Sequence, residues 1–466
     1  MKPMPDYIKK YKIVILIAGI AILLRLIFFG IIISQKNYNL NSAVSGAKFD
    51  GYYEIAYNLI NHSVFSFDQD NSLILSDTKR TPGYPVILVP FLYFDGAYLV
   101  IFLQIILGGV LAALAWLIAW RVTSQAKIAN IVGLLMAIDP VGIWLSVKFL
   151  TETFFTLFFF LFILSVIKLL KVINHKGETG GSAGNIPILA GLYLGLATLF
   201  RPTTLYLPVF LILSWLIFAY WRHKKKQWST GFIFFISFVI VLSPWFIRNY
   251  KVFGVVGYSS IASETLFTYL APSVISMNSG KGFSESQMIF FTNQGYADYP
   301  RVDIANSGEF KNRAIALLKQ YPYESILAAG VAATAFFTHD GALSFLQEIN
   351  LISGALPAKA DLIHNFTDFI ISPFALIALF RLLWFVIFLT FLWRFLLMWR
   401  RKILTSPYVF LLLLIFYFAA TTMFNGFGAN ARFRFPVNSL ILIFSVSWGV
   451  RKFYEIIDCR SKSRQE

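Results

Sequence analysis

The sequence predicts an all-α polytopic membrane protein, a bundle of about ten transmembrane helices with amphipathic helices in its extracytoplasmic loops. Three observations carry that reading. Of 466 residues, 58% are hydrophobic and 18% aromatic, and the mean hydropathy is +0.68. Only 14% are charged, against about 25% in soluble domains, so no soluble core could hide this much apolar surface. Finally, apolar runs recur along the whole chain, with basic residues concentrated between alternate pairs of them.

The first run, 13–34, is long enough to span and lacks a small-residue cleavage site, so it is expected to remain as a helix. An outer loop of about 35–95 follows. Within it, Lys48 to Asn61 reads as a two-faced helix. Phe49, Tyr52, Tyr53, Ala56, Leu59 and Ile60 fall on one side, and Asp50, Glu54, Asn58 and Asn61 recur on another. Such a helix would lie on the membrane surface with its aromatic face down. Asp50 has two readings at this point: a functional carboxylate, or the helix N-cap, a position that Asp favours. Lys79 and Arg80 come next, before a Pro-Gly-Tyr-Pro turn that breaks any helix.

After a short interfacial run at 86–94, spans two, three and four are expected at 97–120, 127–145 and 153–171. A tight turn from Ser146 to Glu152 joins the last two. Spans five and six, 187–200 and 203–221, hinge at Arg201-Pro202, and span seven, 229–247, runs into Ser243 to Tyr250. A long polar and aromatic outer loop covers about 248–370. Its apolar stretch from Ser325 to Phe337 is short for a span and reads as a re-entrant or interfacial helix. Spans eight, nine and ten fall at 371–395, 406–424 and 436–450, and 451–466 forms a cytoplasmic tail. All 466 residues then make one integral membrane domain.

Charge fixes the expected orientation. The segments assigned to the cytoplasm hold 22 of the 40 basic residues and five of the 23 acidic ones, so the rest of the chain is balanced at 18 of each. The whole net charge of +17 lies on one side, as the positive-inside rule expects. Both termini are therefore expected in the cytoplasm, in a plasma or inner membrane. The basicity is accounted for by orientation, and no nucleic-acid partner is implied.

Chemistry is expected on the outer side, where the two long loops lie. Glu152, Arg201, Arg248 (with Asn249), Arg432 and Arg434 sit at predicted outer ends of spans. Each alone reads as an interfacial anchor reaching for water; together they could line one cavity. Arg25 and Arg381 fall within spans and need a partner or a wet cavity there. One cysteine, Cys459, excludes an intramolecular disulfide and a cysteine-based metal cluster. The five histidines show no metal-ligand spacing. The Gly-rich loop from His175 to Asn185 lacks a Walker lysine and a preceding strand, so it reads as a linker. No cofactor is required by the sequence, and a divalent metal is left open.

Six stretches, in order and over nearly the whole chain, resemble the GT-C glycosyltransferases. They run from Asp50 to Leu59, Arg80 to Pro85, Leu150 to Glu152, Gly195 to Pro202, Pro244 to Gly254 and Arg432 to Pro436. The similarity is to the protein O-mannosyltransferases, the lipid A aminoarabinose transferases and their broad bacterial relatives. One departure is that Gly51 follows Asp50, where the protein mannosyltransferases carry an acidic pair; the nearest second acid is Glu54.

The resemblance implies a GT-C-like bundle that moves a monosaccharide, hexose or pentose, from a polyprenyl-phosphate donor to an acceptor outside the cytoplasm, with inversion. The acceptor would be a lipid, glycan or protein. A polyprenyl phosphate leaves without a proton, unlike the alkoxide of glycoside hydrolysis, so one base and several cations suffice. Asp50 is the expected base and Glu152 the second acid. Arg80 leads the phosphate-binding candidates because of its bidentate geometry, followed by Lys79, Arg201, Arg248 and Arg432. Arg434 and Glu54 complete the substrate-binding set with Tyr53, which would stack on sugar or isoprenoid. Two other classes stay open: a lipid-linked sugar transporter or flippase, although no matching halves are found, and a glycan polymerase or ligase.

Overall fold

The computed structural model describes residues 6–68, 74–179, 184–221, 228–352 and 374–447. The cytoplasmic tail expected at 451–466, Cys459, the middle of the Gly-rich loop and the last part of the long outer loop lie outside them. Every regular element among the described residues is helical.

The first half of the chain runs through α1 (Asp6–Gln35), α2 (Leu40–Ala47), α3 (Tyr52–His62), α4 (Gly83–Tyr93) and α5 (Ala97–Thr123). Next come α6 (Ala126–Ala137), α7 (Pro140–Ser146), α8 (Glu152–Thr179), α9 (Ile186–Phe200), α10 (Leu207–Trp221) and α11 (Trp228–Phe253). The long outer segment holds α12 (Ile261–Thr265), α13 (Ala271–Ser279), α14 (Phe283–Asn293) and α15 (Ser307–Gln320). It ends in α16 (Pro322–Thr338) and α17 (Ala342–Glu348). Last are α18 (Phe374–Arg400), α19 (Ser406–Met423), the single turn α20 (Ala431–Arg434) and, after a 3-10 turn, α21 (438–447).

Six of these helices contain apolar stretches of 18 to 27 residues, long enough to cross a bilayer. Two bent pairs, α6 with α7 and α16 with α17, raise the number to eight if each is one span. Ten were expected. Seven of the ten match, α16 with α17 being outside the expected set; the three that do not are α9 and α10, 15 residues each, and α21, described only to 447. At 1.5 Å per residue, 15 residues cover about 22 Å, less than the roughly 30 Å hydrocarbon core. Proline sets the division: Pro202 has no N–H for a continuing helix, and Arg201 is extended at φ −142° and ψ 125°. The Ser325–Phe337 stretch lies in α16, bent by 63° against α17, the geometry of a broken span or a re-entrant loop.

One apolar cluster runs through the bundle, with α5 packed on α1, α6 and α8, and α9 packed on α8 and α11. Helices α12 to α15 enclose a separate small core around Phe267, Phe290, Phe291 and Phe310. Arg301 ties this outer unit to the first outer loop: its Nη1 donates to both oxygens of Asp68, at 2.8 and 2.9 Å.

Both intramembrane arginines are partnered at the two bends. Arg25 Nη1 donates to the carbonyl of Ala137, the last residue of α6, at 3.1 Å. Gly108 on α5 makes room, since a Cβ there would sit 2.2 Å from Arg25 Nε. Arg381 Nε donates to Asp340 Oδ2 at 3.0 Å, in the break between α16 and α17. A helix break frees carbonyls and admits an acid, which is what a guanidinium within a span needs.

The expected two-faced helix from Lys48 to Asn61 is corrected by the structure. Asp50 and Gly51 are both left-handed, at φ 59° and 75°, and α3 starts only at Tyr52. Asn58, expected on the outward polar stripe, is buried and donates to the carbonyls of Ser66 and Asp68, both at 2.8 Å. Glycine tolerates positive φ without penalty, and a Cβ at Gly51 would also press on Phe67 at 3.2 Å. The turn at 50–51 therefore detaches Asp50 from the helix and points it elsewhere.

Candidate active site

Five of the residues expected to matter meet at one end of the bundle. Each arrives by its own local device. Asp50 is held in the left-handed turn between α2 and α3. Arg80 lies in a loop that Asp77 shapes by accepting from the backbone N–H of Lys79 at 2.9 Å and of Arg80 at 3.4 Å. Glu152 is the first residue of α8, where the helix dipole favours a carboxylate. Arg201 is left in extended backbone where α9 stops. Arg432 is presented by α20, whose cap Asn430 accepts from the Arg432 N–H at 3.0 Å.

Arg432 is the hub. Its Nη2 donates to Asp50 Oδ2 at 2.7 Å, and its Nε donates to Glu152 Oε1. Arg201 Nη1 meets the same Glu152 oxygen at 2.7 Å. Arg80 grips Asp50 twice, through Nη2 to Oδ1 at 3.2 Å and through Nε to the backbone carbonyl at 2.9 Å. Three guanidiniums thus face two carboxylates, leaving one positive charge over. The Glu152 side chain is fully buried, while those of Asp50, Arg80, Arg201 and Arg432 are 13–21% exposed. Aromatic rings line the cations: Tyr52 under Arg80 at 5.3 Å, Phe433 by Arg201 at 5.7 Å, and Phe49 by Arg432 at 5.7 Å.

Burial works against the charge on Asp50, but the guanidiniums of Arg432 and Arg80 outweigh it and hold its carboxyl at about 2. Burial likewise works against the Arg432 cation, and Glu152 and Asp50 together more than reverse that, raising its pKa. Asp50 and Arg432 therefore face each other as a charged pair near neutral pH. One oxygen is left idle: Glu152 Oε2 is buried with no hydrogen-bond partner among the described residues. An unmet buried acceptor costs about 1–3 kcal/mol, a cost that a hydroxyl donor would remove.

Asp50 does not cap α3. The N-cap is Gly51, with no side-chain bond there, and the Asp50 carboxylate is spent on Arg80 and Arg432.

The remaining sequence candidates lie outside this group of five. Arg434 is wholly buried, stacked 3.6 Å from the Trp384 ring, and donates to Asn438 Oδ1 and to the carbonyls of Phe336 and His339. Arg248 lies 4.8 Å from the Trp245 ring and donates to the Asp77 carbonyl at 3.0 Å, bracing the loop that carries Arg80. Tyr53 stacks on Phe149 beneath Lys48. Glu54, in the first turn of α3, forms no ion pair with the cluster among the described residues. Lys79 turns away from Asp50 to pair with Glu264 at 2.6 Å. Glu264 was not singled out from the sequence. Its one signal is that it is an isolated acid in the apolar stretch from Ile261 to Pro272. No three His, Cys, Asp or Glu side chains among the described residues gather as metal ligands.

The helices build an integral membrane protein with a GT-C-like fold, as comparison with known proteins bears out. Residues 82–247 match the family described as dolichyl-phosphate-mannose-protein mannosyltransferase. The chain is similar to the archaeal oligosaccharyltransferase AglB from Archaeoglobus fulgidus, solved with an inhibitory peptide and a dolichol-phosphate. The identity is 13% and the TM-score 0.50, over 97% of this chain and 52% of that one. It is also similar to an Archaeoglobus fulgidus oligosaccharyltransferase in the apo form, at 14% identity and a TM-score of 0.53, over 98% of this chain and 52% of that one. ArnT from Cupriavidus metallidurans in the apo state is 12% identical over 84% of this chain and 72% of its own, with a TM-score of 0.33, too low to add to this. No curated protein matches the sequence. The chain spans about half the length of the oligosaccharyltransferases it matches, and at such identities the likeness is one of fold.

Proposed function

We propose that this protein is a membrane glycosyltransferase that moves a monosaccharide from a polyprenyl-phosphate donor to an extracytoplasmic acceptor, with inversion. The observation that supports this best is Arg432 joining Asp50 to Glu152 with Arg80 and Arg201 alongside. Three cations around two acids suit a substrate that brings its own phosphate charge. The family match to dolichyl-phosphate-mannose users, and the dolichol-phosphate bound to AglB, agree with a lipid-linked donor.

In this mechanism the donor phosphate takes over contacts from Arg80, Arg432 and Arg201, which Asp50 and Glu152 occupy in the free protein. Guanidiniums fit phosphate oxygens bidentately and stabilise charge as it develops there. Asp50, relieved of part of its cationic neighbourhood, becomes a stronger base than its value of about 2 in the free site. The acceptor hydroxyl or amine attacks the anomeric carbon from the face opposite the phosphate. Its proton passes to Asp50, and the anomeric C–O bond breaks with its electron pair going to the polyprenyl phosphate. Glu152 Oε2 holds a hydroxyl of the acceptor or the sugar. The one-sided charge of +17 supports a site outside the cytoplasm and both termini inside.

The test is transfer by the purified protein in lipid, using radiolabelled polyprenyl-phosphate sugars and a panel of lipid, glycan and peptide acceptors. Transfer by the wild type and its loss in Asp50→Asn support the reading. Transfer only from lipid-diphosphate glycans would move the protein to the ligase class, and flipping of labelled lipid without transfer would make it a transporter.

A further inference from the structure

A second carboxylate and cation stand beside the Asp50 cluster, unused in the chemistry above. Glu264 lies at the foot of the outer unit and is 3% exposed. Its Oε1 is 2.6 Å from Lys79 Nζ and accepts the Tyr299 hydroxyl at 2.9 Å. Its Oε2 is buried with no hydrogen-bond partner among the described residues. Nothing in the fold requires that vacancy, since the same residue accepts two contacts through its other oxygen.

Lys79 and Arg80 are neighbours in one loop yet serve different acids, Arg80 going to Asp50 and Lys79 to Glu264. The loop is pinned between them. Ser260 N–H donates to the Thr78 carbonyl at 3.1 Å, and Ser259 Oγ donates to the Lys79 carbonyl at 2.8 Å. Glu264 is thereby fixed one residue away from the loop's phosphate-binding candidate, close enough for Arg80 to feel its charge. One exposed aromatic ring flanks the pair: Tyr299 lies under the Lys79 ammonium at 5.5 Å. The Tyr299 hydroxyl also donates to Thr268 Oγ1 at 3.0 Å, and Thr268 sits on the one π-helical turn among the described residues, Leu266–Leu270, a feature that recurs at functional sites.

We propose that Glu264, Lys79 and Tyr299 form a carbohydrate subsite that binds the hydroxyls of a sugar ring next to the reacting centre. The inference rests on the glycosyltransferase reading and adds the residues that select the sugar. An anion would be repelled by Glu264 and a cation by Lys79, whereas a neutral polyol satisfies both. Ring hydroxyls donate to the carboxylate and accept from the ammonium, and the Tyr299 ring covers the apolar C–H edge. The Lys79 stem is a flexible chain, so the ammonium can move aside and still hold a hydroxyl.

Binding in lipid nanodiscs, followed by intrinsic tryptophan fluorescence, tests this with defined probes: plain polyprenyl phosphate and polyprenyl phosphate carrying mannose, glucose or galactose. Glu264→Gln and Tyr299→Phe should weaken binding of the preferred sugar-bearing lipid by about tenfold to a hundredfold, the effect of losing a hydrogen bond to a charged group. Binding of plain polyprenyl phosphate should not weaken. If donor binding is unaltered but the KM for a glycan acceptor rises by the same factor, the sugar held there is the acceptor's, and the subsite stands. Equal affinities of variant and wild type for every lipid and acceptor, or equal losses for plain and sugar-bearing lipid, would overturn it. A wild type that binds no polyprenyl phosphate at all would instead sink the function on which it rests, and the two failures are separable.

Discussion

Arg432 and Arg434 are two residues apart and have nothing in common in their surroundings. In a helical turn two positions differ by about 200°, so one guanidinium enters the acidic cluster and the other is driven into the core against Trp384. Arg432→Ala should abolish transfer while leaving a folded protein. Arg434→Ala should lower thermal stability by about 3 kcal/mol, as removal of a buried, fully bonded charge does; melting and transfer measured on both variants separate the two. Asp50→Asn should cut turnover by at least about a hundredfold, the lower end for loss of a general base. Equal turnover of variant and wild type would end the mechanism. The Asp50 pKa is depressed, so its pairing stabilises the protein at pH values above its ordinary range near 4. That contribution, about 2 kcal/mol for a drop from 3.8 to about 2, is lost as pH falls toward 2. In acid melts between pH 5 and 2, Asp50→Asn should therefore lose less stability than the wild type does.

At the level of the element, the two bent pairs and the broken spans do more than interrupt the bundle. The α6–α7 bend frees the Ala137 carbonyl for Arg25, and the α16–α17 break brings Asp340 to Arg381. Gly108→Ala would drive a methyl into the Arg25 guanidinium and should destabilise by about 1–3 kcal/mol, the usual cost of overpacking; a melting temperature equal to the wild type's would mean that Arg25 has room to move. The ends of α8 and α9 are equally purposeful, since they set Glu152 and Arg201 on one spot. These ends were legible as a list of polar residues beside proline and turn signals. The start of α3 was not. A helical spacing of polar side chains can be counted in a sequence, but the left-handed turn at Asp50 and Gly51 that interrupts it is a backbone conformation, and the close approach of Phe67 to Gly51 is a contact of the folded chain.

For the whole molecule, the expected orientation makes one clear prediction. In intact cells a membrane-impermeant thiol reagent should label cysteines placed at the exposed positions Ser45 and Lys281, while the native Cys459 stays protected. Labelling of Cys459 from outside would reverse the proposed location of the active site. Hydropathy and charge bias were sufficient to indicate a helical membrane protein and to mark polar residues at the ends of its spans, because both properties are read locally, one segment against a slab of lipid; the roles expected of Asp50, Arg80, Glu152, Arg201 and Arg432 came from the family resemblance. Pairing is not local. Asp50 and Arg432 meet across 382 positions of chain, and only the packed bundle decided that they meet, that Arg248 braces a loop instead, and that Glu264 takes Lys79. A buried charge chooses its partner by distance and desolvation, and neither exists until the helices have come together.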